Sequence, residues 1–258
     1  MSRVVNLMTS RPKLIQPRWL ARFPELRCGV STRNGGVSPD PMGLNLSFHV
    51  GDKPGNVEKN RNLFFGGLDI PLEKVAFTRQ VHSAVVQAAQ HAGIYENCDA
   101  LMTNQPDLYL AISVADCLPI LLYDQTTATI AAIHSGWRGS KANIVGRGIA
   151  LMQEKYDATP GTMVAYIGPS AGVCCYEVGE EVAADFEPTY LRRLNAAKPH
   201  LDLKRFNHDL MVHAGIAEKN IEVSDYCTIC NADLFHSFRR DDRRAGRMIA
   251  LIGRRRMS

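Results

Sequence analysis

Residues 110–140 read LAISVADCLPILLYDQTTATIAAIHSGWRGS, and the spacing inside this stretch decides the fold class. Two apolar runs, 110–115 and 118–123, flank a polar pair, Asp116 and Cys117. A third run, 128–133, delivers His134 into a glycine-bounded turn, Gly136-Trp137-Arg138-Gly139. Short apolar runs with β-branched content predict buried strands. At the edges of one continuous sheet, Cys117 and His134 can meet in space although seventeen positions separate them. Such a pair suits a thiolate–imidazole couple or half of a metal site. An inert core cysteine is the plainer alternative.

Outward from this stretch, further strands are expected at 27–32, 98–102, 162–167, 221–226 and 248–252. Residues 74–86 form one or two more, broken near His82 and Ser83. Helical spacing covers 57–68, with Asn56 as N-cap, then 141–156, 178–186 and 206–217, with a polar linker around 195–200. Gly146 and Gly148 weaken the second helix and mark a close packing contact. The Gly-, Pro- and Asn-rich stretch from Arg33 to Asp52 is a long loop, which alternation at Leu44, Leu46, Phe48 and Val50 makes ordered and half-buried. Strands outnumber the helices that could act as crossovers. The expected fold is therefore α+β, a single domain with a mixed β-sheet core flanked by helices. It spans 1–258, with an N-terminal extension at 1–26 and a basic tail at 254–258.

The 258 residues, 45% hydrophobic and 22% charged with a net charge of +4, have ordinary globular composition. Seven irregularly spaced cysteines do not form a secreted disulfide framework. The first residues lack an apolar signal-peptide core, and no apolar run approaches the roughly 20 residues of a membrane helix. These features predict a soluble, cytoplasmic protein.

Three residues stand at predicted strand edges with metal-binding chemistry: His82, Cys117 and His134. Three protein ligands and one open position are the usual plan of catalytic zinc, and thiolate with imidazole suits zinc or copper. His49 lies in the glycine-rich loop. His91, His200, His208, His213 and His236 fit helix surfaces or solvated turns. Cys227-x-x-Cys230 has the spacing of a zinc half-site, but no second pair is evident. Adjacent Cys174 and Cys175 point to opposite faces if extended. A packing role, neither zinc half-site nor disulfide, is expected for the Cys227/Cys230 pair. Arginines gather from Arg239 to Arg256, but Asp241 and Asp242 interrupt them and no nucleic-acid fold signature accompanies them. An arginine or two aimed at a small anion is the better reading.

The ordered set GVSTRNGGVS, GLNLSFHVGD, TRQVHS, ADCLPILLYD, AAIHSGWRGS, IGPSAGVCCYEVGEEV and CTICNADLFHSFRRDDRRAGR resembles the laccase-domain family. That family was once labelled multicopper polyphenol oxidases and is now described as zinc-dependent purine nucleoside phosphorylases. The resemblance implies that His82, Cys117 and His134 bind one Zn2+ and serve catalysis. It also implies phosphorolysis of purine nucleosides, with adenosine deamination and methylthioadenosine phosphorolysis at the same site. Arg33, Asn45, Arg138 and Arg239 are the candidate residues for nucleoside and phosphate, and Asp116 is a candidate to orient a histidine. A monomer or homodimer is expected. With eight histidines and no HxH pair, a four-copper laccase cluster is not encoded, although a Cys/His site would take copper in vitro. Other readings stay open: a metal-free hydrolase with Cys117 as nucleophile and His134 or His82 as base, for example on peptidoglycan precursors, a copper-dependent phenol oxidase, and a non-enzymatic role in which the basic C-terminal end docks an acidic partner or nucleic acid.

Overall fold

Successive residues of the strand Tyr109–Val114 serve two different cores. Leu110, Ile112 and Val114 face one, and Tyr109 and Ala111 face the other. The same period-two division recurs along Met248–Arg254, Thr129–Ser135 and Met163–Ile167, as expected for strands buried on both faces. In the computed structural model, which describes residues 3–6, 12–193 and 198–256, these strands belong to two mixed sheets.

The seven-stranded sheet has the spatial order Arg3–Asn6, Lys13–Gln16, Leu26–Ser31, Met248–Arg254, Tyr109–Val114, Val75–Arg79, Gly93–Glu96. The six-stranded sheet runs Ile221–Val223, Met163–Ile167, Leu118–Asp124, Thr129–Ser135, Ala100–Thr103, Val86–Ala88. One core lies between the sheets, where Val30, Ile112 and Ala250 meet Leu121, Ala132 and Tyr166. Outside the first sheet, helix Pro54–Gly66 contributes Phe64 and Phe65 to a second core. Outside the second sheet, helices Ile144–Tyr156 and Leu203–His213 close a third. The result is a helix–sheet–sheet–helix stack, the mixed-sheet α+β domain expected from sequence.

Several local expectations are corrected. The chain does not remain in one continuous sheet through residues 110–135. It leaves the seven-stranded sheet after Val114 and enters the six-stranded sheet at Leu118, so Asp116 and Cys117 sit where it crosses between layers. Asp116 takes a left-handed backbone there, φ 85°. The helix expected over 141–156 is broken: Trp137–Lys141 ends, and Ile144–Tyr156 begins after Asn143, at φ 54°. Asn143 caps the second helix, its side chain accepting from the Gly146 amide at 3.0 Å. Gly148 packs against the sheet, since a Cβ there would lie 3.0 Å from the Ile133 Cδ1. Asn56 is not an N-cap, because Pro54 begins its helix and Lys53 stands at the cap. The helix expected over 178–186 shortens to Glu180–Ala183, and that expected over 206–217 is Leu203–His213, capped by Asp202. Lys13–Gln16, read as part of an extension, pairs with Leu26–Ser31. Residues 195–197 of the expected linker and 257–258 of the basic tail lie outside the described residues.

Asn143 combines a cap with a left-handed backbone, and the two contributions separate experimentally. Asn143→Ala loses a cap worth about 1 kcal/mol and meets a left-handed penalty of roughly 1–2 kcal/mol. Asn143→Gly retains the backbone freedom and should cost only about 0.5 kcal/mol. Urea denaturation of the two variants checks this; equal losses would show that the left-handed turn imposes no constraint.

Candidate active site

Strand register explains why distant residues meet. In the antiparallel pair Leu118–Asp124 and Thr129–Ser135, His134 lies opposite Pro119, so the end of one strand stands beside Cys117 at the start of the other. Ile133 lies opposite Ala100 in the next strand, which brings Asp99 alongside His134. The strand Val86–Ala88 runs parallel to Ala100–Thr103, so the turn holding His82 and Ser83 arrives at the same end. Ligand atoms of His82, Cys117 and His134 all lie within 4.8 Å of one another. Gly136 makes room for them: a Cβ there would sit 3.1 Å from the Cys117 sulfur and 3.5 Å from the His82 ring.

Asp99 organises this cluster and was not singled out from sequence. Its carboxylate accepts from the amides of Val81, His82 and Ser83 at 3.2, 3.0 and 2.7 Å and from the Ser83 hydroxyl at 2.8 Å. Its Oδ1 also lies 2.8 Å from His134 Nδ1, which turns Nε2 of that ring toward Cys117. Burial pushes the Asp99 carboxyl up, but His134 and Ser83 hold it down at about 2. Burial also opposes charge on Cys117, yet His134 and His82 bring its thiol down to about 6. Desolvation lowers His134 in turn, but Cys117 and Asp99 lift it to about 9. One sulfur and two ring nitrogens, one ring fixed by a carboxylate, form a donor set that fits zinc.

A cavity of about 600 Å³ opens over the three residues. Trp137, Arg138, Tyr176, Phe238, Arg239, Arg247 and His49 line it. Arg138 is exposed, its guanidinium carbon 4.3 Å above the Trp137 ring. Arg239 lies 5.0 Å over the Tyr176 ring and donates to the Glu177 carbonyl at 2.8 Å. Arg247, missed from sequence, is half-buried; desolvation lowers its pKa while Asp116 and Cys117 act to raise it. The candidates Arg33 and Asn45 do not line the cavity. Arg33 donates to the carbonyls of Pro41 and Ala232 and pairs with Asp40. Asn45 is fully buried and accepts the Arg247 amide at 2.9 Å, so it braces the turn that carries that arginine.

Asp116 orients neither histidine. Its carboxylate accepts from Thr228 Oγ1 at 2.6 Å, Ser237 Oγ at 3.0 Å and the Arg239 amide at 2.7 Å, and Asp99 takes the histidine-orienting part instead. His236 is not solvated but fully buried, and desolvation together with Arg33 and Arg247 drives its pKa down to about 3. The reading of Cys227 and Cys230 as an isolated packing pair is also overturned. Their sulfurs cluster with those of Cys174 and Cys175, all four within 4.8 Å of one another. Residues 172–176 form a turn rather than an extended strand, the amides of Cys175 and Tyr176 both bonding the Gly172 carbonyl, so vicinal side chains can share one side.

A folded-state pKa of about 2 for Asp99 lies below the roughly 3.9 of an unstructured aspartate. The carboxylate therefore stabilises the fold fully above about pH 4 and loses that contribution as the pH falls toward 2. Asp99→Asn is expected to cost about 3 kcal/mol at neutral pH. The gap from the parent chain should narrow steadily in urea titrations below about pH 4. A gap that stays constant with pH would place the loss in packing rather than in charge.

Comparison with known proteins agrees with this architecture. The chain is 39% identical over 242 residues to a purine nucleoside phosphorylase of Deinococcus radiodurans, covering 91% of this chain and 92% of that protein. It is 35% identical over 245 residues to the purine nucleoside phosphorylase YlmD of Geobacillus stearothermophilus, covering 88% and 89%. The crystal structure of YlmD from Geobacillus stearothermophilus superposes with a TM-score of 0.91 at 31% identity, over 99% of this chain and 100% of that one. Neisseria meningitidis protein NMB0706 superposes at 0.80 with 29% identity, over 98% and 99%. The family model described as multi-copper polyphenol oxidoreductase laccase matches residues 27–255, and the chain belongs to that family, the laccase-domain family.

Proposed function

We propose that this chain is a zinc-dependent purine nucleoside phosphorylase that also deaminates adenosine and phosphorolyses methylthioadenosine at the same site. The observation that carries the reading is the convergence of His82, Cys117 and His134 on the floor of a cavity rimmed by arginine and aromatic side chains. Relatives that share nearly the whole chain carry the phosphorylase name, which supports the substrate class. Zinc at these three ligands would supply Lewis acidity at an open fourth position.

The chain's own residues account for the remaining requirements. In phosphorolysis a phosphate oxygen bonds the anomeric carbon as the carbon–nitrogen bond breaks and the purine leaves with a proton. Arg138, Arg239 and Arg247 present cationic forks to hold that phosphate. Trp137, Tyr176 and Phe238 offer faces on which a purine can stack and be shielded from water. Asp99 keeps the His134 tautomer fixed, so its Nε2 remains available on the cavity side. We place this activity in the cytoplasm, with purine nucleosides and phosphate as its partners. Among the described residues no helix is long and apolar enough to cross a membrane.

A second reading draws on a specific observation. The Cys117 thiol, at about 6 beside an imidazole at about 9, has the charge state of an activated nucleophile. Without metal, such a pair would suit hydrolysis through a thioester. Zinc in protein purified without added metal that is lost on His134→Ala would exclude this reading; a rapidly alkylated, metal-free Cys117 would favour it. Copper bound at the same three ligands, with phenol oxidation, is a third outcome of that metal analysis.

Product analysis of adenosine, inosine and methylthioadenosine, each with and without phosphate, tests the proposal directly. Free base with ribose 1-phosphate, or with methylthioribose 1-phosphate from methylthioadenosine, formed only when phosphate is present, is expected; no phosphate dependence would overturn it. Arg138→Ala should lower phosphorolysis ~10²-fold or more while deamination falls much less. Equal loss of both activities, with fold and zinc intact, would remove Arg138 from the phosphate site.

A further inference from the structure

The strands Met163–Ile167 and Ile221–Val223 are parallel neighbours, with Ile167 opposite Val223. Their following loops therefore leave the sheet at the same end and touch again through a bridge between Ser170 and Cys227. The first loop brings Cys174 and Cys175, the second Cys227 and Cys230. The Cys230 sulfur lies 3.2 Å from that of Cys175 and 3.6 Å from that of Cys174. Four thiolates around zinc at about 2.3 Å stand roughly 3.8 Å apart along the edges of a tetrahedron. The observed quartet, with all four sulfurs within 4.8 Å of one another, is close to that size.

Backbone donors converge on one of the four sulfurs. The amides of Cys230, Gly172 and Ile229 all bond the Cys227 sulfur, Gly172 at 3.3 Å. Amide donors aimed at sulfur stabilise its anionic, metal-binding form. Gly172 has no Cβ where one would lie 3.3 Å from the Cys174 sulfur and 3.6 Å from that of Cys227, so the space beside the sulfurs is kept clear. The Lys204 ammonium, held by the carbonyls of Ser224 and Tyr226 at 2.6 and 2.8 Å, supplies positive charge near Cys227 and Cys174.

We propose that Cys174, Cys175, Cys227 and Cys230 form a second, structural metal site, a tetrathiolate zinc centre that staples these two loops together. The site is separate from His82, Cys117 and His134 and does not depend on the function assigned to them. It has four protein ligands and no open position, so it contributes stability and not chemistry. What it holds in place matters to the cavity: Tyr176 follows the vicinal pair directly, and Thr228, inside Cys227-x-x-Cys230, bonds Asp116.

Metal analysis of the full chain tests this with two variants. Cys117→Ser with His134→Ala dismantles the first cluster and should leave about one zinc per chain. X-ray absorption of that protein should show four sulfurs at about 2.3 Å and no imidazole shell. Cys227→Ser with Cys230→Ser should carry about one zinc fewer than the parent, and chelator should lower the Tm of the first variant, whose only zinc is the tetrathiolate one. If the second variant does not fold, the absorption measurement on the first still decides. No zinc in the first variant, imidazole around its zinc, or a non-reduced mass four hydrogen atoms short from two disulfides would each overturn the proposal.

Discussion

The Asp99 carboxylate, buried at 0% exposure, is the constraint on which the site's geometry rests. An unpaired buried charge would cost several kcal/mol, so the fold must surround it with donors. It does so with three consecutive amides, one hydroxyl and one imidazole, drawn from two separate segments. Satisfying Asp99 therefore forces the 81–83 turn against the end of Thr129–Ser135. That demand also accounts for His82 standing at φ 57°, a left-handed backbone costing a β-carbon residue roughly 1–2 kcal/mol. The strain is retained because the His82 amide must reach Asp99 while its ring reaches Cys117. Behind the cluster, Ser135, Ser140 and Asn207 bond one another in a second buried network that braces the Gly136–Lys141 turn.

Much of this was legible in the sequence, and the failures have physical causes. Apolar runs located the central strands because continuous burial leaves a continuous signal. Period alone could not say that 110–115 and 118–123 lie in different sheets, since a strand buried on both faces reads the same in either layer. His82, Cys117 and His134 were found because each interrupts or ends such a run with unusual chemistry. Asp99 was not, because a lone acid at a strand edge commonly faces water, and its burial depends on a turn sixteen to eighteen residues earlier. The cysteine quartet was missed because Gly172-Val173-Cys174-Cys175 carries no mark distinguishing a turn from an extended strand. Asn45 and Arg33, candidates for the substrate, instead hold their own loop, their side chains donating to the carbonyls of Ser47 and Pro41.

The arginines sort by what already occupies their guanidinium groups. Arg240 donates to the carbonyls of Thr228, Ile229 and Phe235 and pairs with Asp241, so its fork is consumed within the fold. Arg33 is spent in the same way. Arg138 differs: it is exposed and stacked on Trp137, with no carboxylate partner among the described residues. A stacked guanidinium keeps its edge donors free, which is the arrangement suited to a planar or tetrahedral anion. The basic stretch 239–256 thus divides between structure and cavity, and does not act as one patch.

Thr228 connects the two cysteine-bearing regions. It is fully buried, lies between Cys227 and Cys230, and donates its hydroxyl to Asp116, the residue immediately before Cys117. Asp116 is itself in a left-handed backbone at the crossing between sheets, and its carbonyl accepts the Ala171 amide at 2.9 Å from the loop that carries Cys174 and Cys175. Both thiol-bearing loops therefore grip the one residue whose conformation aims the Cys117 side chain. A displacement of either loop would have to break a buried hydrogen bond to Asp116, leaving a carboxylate oxygen or a carbonyl without its donor at a cost of about 1–3 kcal/mol. The orientation of Cys117 is thus fixed from two sides: by its histidine neighbours across the hairpin, and by the cysteine loops through Asp116.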